Sequence, residues 1–113
     1  MTSDGGATLS KLLTEERAHF KEVGQALDRL IRIAMGGDNG NARRVADFLL
    51  AWADGRKFGH FEVLDIACID PALGSDVLVI LAYLSRYGAL YDNAWGRREN
   101  IEEIVKKWRI DEI

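Results

Sequence analysis

Few residues of this 113-residue chain have the types and spacing that chemistry needs. Glu16-Arg17-Ala18-His19 is a Glu-x-x-His on a helical stretch. In carboxylate-bridged di-iron bundles that spacing turns two ligands inward. Such a site also needs a second Glu-x-x-His and two further carboxylates. The other histidine, His60, follows Arg56 and Lys57 and supplies no such motif. Glu15 and Glu22 share a helix face with His19, but two histidines in a chain make a poor transition-metal shell. Glu16 and His19 therefore read as a seam edge or surface, with no metal and no cofactor.

Nucleophiles fare no better. Ser3, Ser10, Ser75 and Ser85 fall in a tail or on helical stretches, without the strand–elbow–helix context of a catalytic serine. Cys68 is the single cysteine. It excludes an intramolecular disulfide and fits a reducing cytosol. Its apolar setting, Val63–Ile69, predicts a buried small hydrophobe rather than a reactive thiol. Gly36-Gly37-Asp38-Asn39-Gly40 precedes a helix, where anions bind. It lacks a preceding strand and the lysine and serine of a P-loop, so it reads as a linker. No catalytic residue is assigned, and the chain is expected not to be an enzyme.

Phosphate binding is the remaining chemistry. Arg43, Arg44, Arg56 and Lys57 flank one helix, and Arg97 and Arg98 open another. On a common face they would make a nucleic-acid contact. The net charge of -3 and a pI of about 5.3 oppose this. Glu99, Glu102 and Glu103 dilute the last helix. Nucleic-acid binding is thus the alternative to protein binding.

The elements that would position these residues are helical. Asp76–Leu84 is apolar all round, which predicts a helix at the centre of the core. Asp70-Pro71 opens it, and Arg86 and Gly88 close it, over about Pro71–Tyr87. Leu73, Val77, Ile80, Leu81 and Leu84 form its expected face. Asp76 and Arg86 bracket the run too closely for a membrane span of about 20 apolar residues.

Residues 1–7 read as a disordered tail and residues 8–113 as one helical domain. Met1–Thr8 shows neither the basic start nor the apolar centre of a secretory signal. A long helix is predicted from Thr8 to about Met35, with a possible second start at Thr14. Asn41 is expected to cap a helix over Ala42–Asp54, stopped by Gly55. A short helix is expected within Phe61–Ile69. Ala89–Gly96 is expected to fold Tyr91 and Trp95 back as lids. A last helix, about Arg97–Ile110, pairs Arg98 with Glu102, Glu102 with Lys106 and Glu103 with Lys107. The fold class is all-α: an irregular bundle of four main helices plus one short helix. Phe48, Trp52, Ile104 and Trp108 should pack on Leu78–Leu84.

Arg43-Arg44-Val45-Ala46-Asp47-Phe48-Leu49-Leu50-Ala51-Trp52 is the most specific block of the chain. Gly59-His60-Phe61, the Asp76 helix and a closing Glu103-Ile104-Val105-Lys106-Lys107-Trp108-Arg109 follow it. The order resembles a family of small uncharacterised proteins carried on plasmids and integrative conjugative elements of proteobacteria, over about Ala26–Arg109. The resemblance implies a bacterial cytoplasmic accessory protein of a mobile element, without catalytic residues to transfer. The expected second tryptophan is Ala53, and the expected final proline is Ile110.

The first helix carries a heptad-like seam, and Leu9, Leu13, Phe20, Val23 and Leu27 lie along it. Such a seam predicts a homodimer through this helix, unless the chain bends after Leu13 and covers it. The function expected is non-enzymatic binding of a protein partner.

Overall fold

The computed structural model describes residues 2–59, 61–87 and 96–109, with side chains from residue 14 onward. Helix α1 spans Thr2–Gly36 and α2 spans Gly40–Phe58. A 3-10 turn covers Val63–Ala67. Helix α3 spans Pro71–Tyr87 and α4 spans Arg98–Trp108. No strand occurs among the described residues. The all-α bundle of four helices and one short element is what the helical periodicities require. Tyr91 and Trp95 lie outside the described residues.

Helix α1 starts at Thr2 rather than Thr8 and is unbroken at Thr14. At 35 residues it is about 52 Å long. It therefore fits only along the longest axis of a molecule measuring 58 × 28 × 22 Å. The radius of gyration of 16.1 Å exceeds the roughly 13 Å of a rounded domain this size. The bend after Leu13 is not taken.

The core is organised around the second half of α1, not around α3. Val23, Ala26, Leu27, Leu30, Ile31 and Ala34 are all buried, at the spacing of one helix face. They meet Val45, Phe48 and Leu49 of α2, Val77 and Ile80 of α3, and Ile101 and Ile104 of α4. Trp52 and Trp108 pack on this cluster half-buried. Leu78 and Leu81, expected at the centre, are 57% and 43% exposed.

The cause is a rotation of α3 about its own axis. At 3.6 residues per turn, Leu81 lies about 40° and Leu78 about 100° from Val77 toward one side of the helix. Asp76 and Tyr83 lie on the other side, and it is this side that turns inward. The guanidinium of Arg29 on α1 donates two hydrogen bonds to Asp76, at 3.0 and 2.7 Å. Tyr83 meets Phe20 edge-on at 6.2 Å. A paired carboxylate and a ring contact thus set the face that apolarity alone would have chosen differently.

The element ends explain the links. Asn39, not Asn41, caps α2, its side-chain oxygen accepting the Ala42 N–H at 2.9 Å. Asn41 instead accepts the Asp70 N–H at 3.1 Å, tying the entry of α3 to α2. The Asp70 carboxylate accepts the Ala72 N–H at 3.0 Å, as a cap before Pro71 should.

Helix α1 has no basic residue in its last turn. Its C-terminal carbonyls are satisfied from α4 instead. Lys107 Nζ donates to the carbonyls of Ala34, Met35 and Gly37 at 3.2, 3.0 and 2.6 Å. Trp108 Nε1 donates to Ala34 at 2.9 Å. A cation here both fills orphan acceptors and opposes the helix dipole. Arg109 binds the Asp47 carboxylate and donates to the Phe58 carbonyl at 3.1 Å, closing α4 onto α2.

Local pairings yield to these distant ones. Lys107, expected on Glu103, ion-pairs with Asp38 at 3.4 Å. Asp28, four residues from Arg32, is held by two bonds from Arg97, at 2.6 and 3.1 Å. Arg97 also donates to the Gly24 carbonyl at 3.2 Å. A Cβ at position 24 would sit 3.4 Å from that guanidinium, so glycine leaves it room. The Arg98–Glu102 pair forms at 3.5 Å.

Candidate interaction surface

Helix α2 changes direction at Asp54, whose backbone is extended (φ -163°, ψ 86°). The Asp54 carboxylate accepts the Lys57 N–H at 3.2 Å and so caps a separate final turn. The Gly55 stop expected from the sequence coincides with this kink. Gly59 then takes a positive φ of 95°, open to glycine without strain. The chain reverses and sets Phe61 edge-on against Phe48, with ring centroids 5.5 Å apart.

This route leaves a groove of about 690 Å³ between the second half of α2, the 3-10 turn and α3. Phe48, Trp52, Phe61, Ile66, Leu81 and Leu84 line it. Arg56 is the one charged residue in the described lining. Val63 stands on its rim 76% exposed, and the neighbouring Leu64 is 75% exposed. Leu78 extends the apolar surface along α3. The size and apolar lining are those of a ligand or side-chain anchor site. Among the described side chains that line it, none forms an acid–base pair or a nucleophile.

A second cluster joins the middle of α1 to the end of α3. His19 Nδ1 lies 2.6 Å from the Tyr87 hydroxyl. Arg86 binds Glu15 at 3.3 Å and stacks over Tyr87. Tyr83 and Tyr87 have centroids 4.7 Å apart. Burial pushes the Tyr83 hydroxyl above its usual pKa, and the Glu16 and Tyr87 charges add to this. His19 is thus engaged with Tyr87. Among the described residues, no three His, Cys, Asp or Glu side chains gather as a metal site.

The residues singled out from the sequence are placed as follows. Val23 and Leu27 are 1% and 0% exposed inside the chain's own core, so they offer no surface to a second copy. These two seam residues are covered by the chain's own helices. Phe20 remains 48% exposed. The side chains of Leu9 and Leu13 lie outside the described residues. Arg43 and Arg44 occupy the first turn of α2, and Arg56 and Lys57 its last. Eleven residues, Val45–Gly55, lie between the pairs, roughly 18 Å of helix rise, with the Asp54 kink among them. Arg44 lies 3.6 Å from Asp65. The four basic residues do not come together as one patch. Cys68 is exposed, because the 3-10 turn is too short to bury both of its sides.

Val63, Leu64, Leu78 and Leu81 were not singled out as a surface by sequence reasoning. The signal in the sequence is the all-round apolarity of α3, which a central helix would show equally.

Among the described residues, fold and surface define a small helical bundle with an open apolar face on α2 and α3. The buried core of these residues runs from Val23 to Val105. The chain belongs to the Family of unknown function (DUF7673), which matches residues 24–109. The match covers the bundle and leaves out the first part of α1. It carries no indication of a plasmid or conjugative element. No curated protein and no solved structure matches the chain. No described helix is long and apolar enough to cross a membrane.

Proposed function

We propose that this chain is a non-enzymatic, cofactor-free binding protein that engages another protein through the α2–α3 face. The observation that carries this is the two-sided α3. A helix apolar on both sides is normally covered on both sides. Here one side rests on α1 while Leu78 and Leu81 face outward, beside exposed Val63 and Leu64. Contiguous apolar surface of this kind marks interaction sites.

The groove also lies within the family match, whereas Phe20 and the first part of α1 lie outside it. The family match thus includes every described residue of the groove, which supports reading the binding role there. The setting, an accessory protein in the bacterial cytoplasm and on a mobile element, rests on the sequence resemblance.

The test is a photo-crosslinking residue at position 78 in cells expressing the full chain. The expected result is a discrete protein adduct that disappears when Leu81→Glu is added. A chain that yields no adduct, or one indifferent to Leu81→Glu, sinks the reading.

A further inference from the structure

We infer that the protein covering the α2–α3 face is a second copy of this chain, related to the first by a two-fold axis. The inference rests on the binding role of that face. A two-fold contact presents the same patch on both partners, so the patch must complement itself. This face carries both halves of such a fit. Val63 and Leu64 project from the 3-10 turn, 76% and 75% exposed. Beside them the groove of about 690 Å³ is lined by Trp52, Phe61 and Leu84. The projection of one copy has the apolar chemistry that the hollow of the other takes.

The charges at the edge fit the same arrangement. Arg56 lines the groove, and Lys57 adjoins it in the final turn of α2. Glu62 precedes the projecting Val63 and is exposed. None of the three forms an ion pair with another described residue. Other charges around the bundle do pair: Asp76 with Arg29, Asp28 with Arg97, Asp47 with Arg109. Arg56 and Val63 line the same groove, so a two-fold contact that seats Val63 of one copy in the groove of the other sets Glu62 beside that copy's cations. An apolar centre within a polar rim is the usual anatomy of a protein interface.

The experiment is sedimentation of the full chain from about 1 to 200 µM, with variants checked for unfolding by denaturant titration. The monomer mass is 12.7 kDa. The wild type is expected to pass to twice that mass in this range. Leu64→Glu, at a largely exposed position, and Leu81→Glu should each weaken the dimer by at least about tenfold. Phe20→Glu should leave it unchanged. Arg56→Glu and Glu62→Arg should each weaken it, and the two combined should restore it. A spin label on Cys68, the single and exposed cysteine, should then give one interchain distance that vanishes in Leu64→Glu.

A wild type that stays at 12.7 kDa up to 200 µM overturns the inference. So does a dimer lost in Phe20→Glu but kept in Leu64→Glu, which would place the contact on α1. In the monomeric case a position-78 adduct with a different protein would leave the binding role standing. The absence of any adduct would remove both.

Discussion

The second half of α1 and the middle of α3 are both apolar helices, yet they hold opposite places. From Val23 to Ala34, α1 keeps polar residues such as Asp28 and Arg32 on one side and a buried stripe on the other. That stripe is shared among three partner helices. Helix α3 carries leucine, valine and isoleucine nearly all round, and one of its sides ends at the surface. The number of apolar residues in a helix therefore does not rank its depth. Depth follows from how many neighbours share its face. Excess apolarity on a peripheral helix instead leaves one of its sides in solvent.

The comparison breaks most directly at Leu30 of α1, which is fully buried among the helices. Leu30→Ala should cost about 2–5 kcal/mol in urea unfolding, the range for a large-to-small core change. Leu81→Ala on α3 should cost about 1 kcal/mol, because 43% of that residue is already in water. Equal losses at the two sites would mean that α3 shares the centre.

A smaller effect sharpens the picture of how α1 is held. Lys107→Met keeps the aliphatic stem and removes the ammonium that serves three carbonyls at the end of α1. The expected loss is about 1–3 kcal/mol, as for hydrogen bonds involving a charged group. Lys106→Met, next door and exposed, should stay within about 0.5 kcal/mol. If the two changes prove equal in the same titration, the cap on α1 contributes little.

Much of this was legible from local signals. The bounds of α3 were readable because Asp70, Pro71 and Arg86 act within one turn of the helix ends. The kink of α2 was readable as Gly55, and the all-α class as helical spacing. What escaped was set by partners far along the chain. The rotation of α3 depends on Arg29, 47 residues from Asp76. The fates of Asp28 and Lys107 depend on Arg97 and on carbonyls at the end of α1. No window of sequence contains both members of such a pair. The apolar face was hidden for the same reason: which side of an all-round apolar helix stays outside is decided by what the other side finds.

The Asp28–Arg97 tie also fixes a pH dependence. Hydrogen bonding from Arg97 holds the Asp28 carboxyl below its ordinary pKa. For a depressed carboxyl, the stabilisation is fully present above the unfolded value of roughly 4 and is lost as pH falls through the lower folded value. Asp28 is largely exposed and screened by solvent, so the effect should be no more than a few tenths of a kcal/mol. Asp28→Asn should flatten the acid limb of a stability–pH curve below about pH 4 by that amount and leave pH 7–8 differences constant. A wild-type limb no steeper than that of Asp28→Asn would show that the pair does not persist in solution.

A comparably small effect is the most telling for α3. Leu78 points about 100° away from Val77 and is 57% exposed. In an isolated monomer, Leu78→Ser should change stability by only about 0.5 kcal/mol, as at an ordinary surface site. Measured at about 1 µM, a loss above 2 kcal/mol would mean that the outer side of α3 packs within the chain after all. Measured again at about 100 µM, the loss should grow, because association stabilises the folded chain by mass action and the substitution removes part of that gain. A loss that is small and independent of concentration would leave Leu78 as plain surface and confine any contact to the groove and the 3-10 turn. The same substitution thus reads the two sides of one helix separately: dilution shows what α3 does for its own fold, and concentration shows what it does for a neighbour.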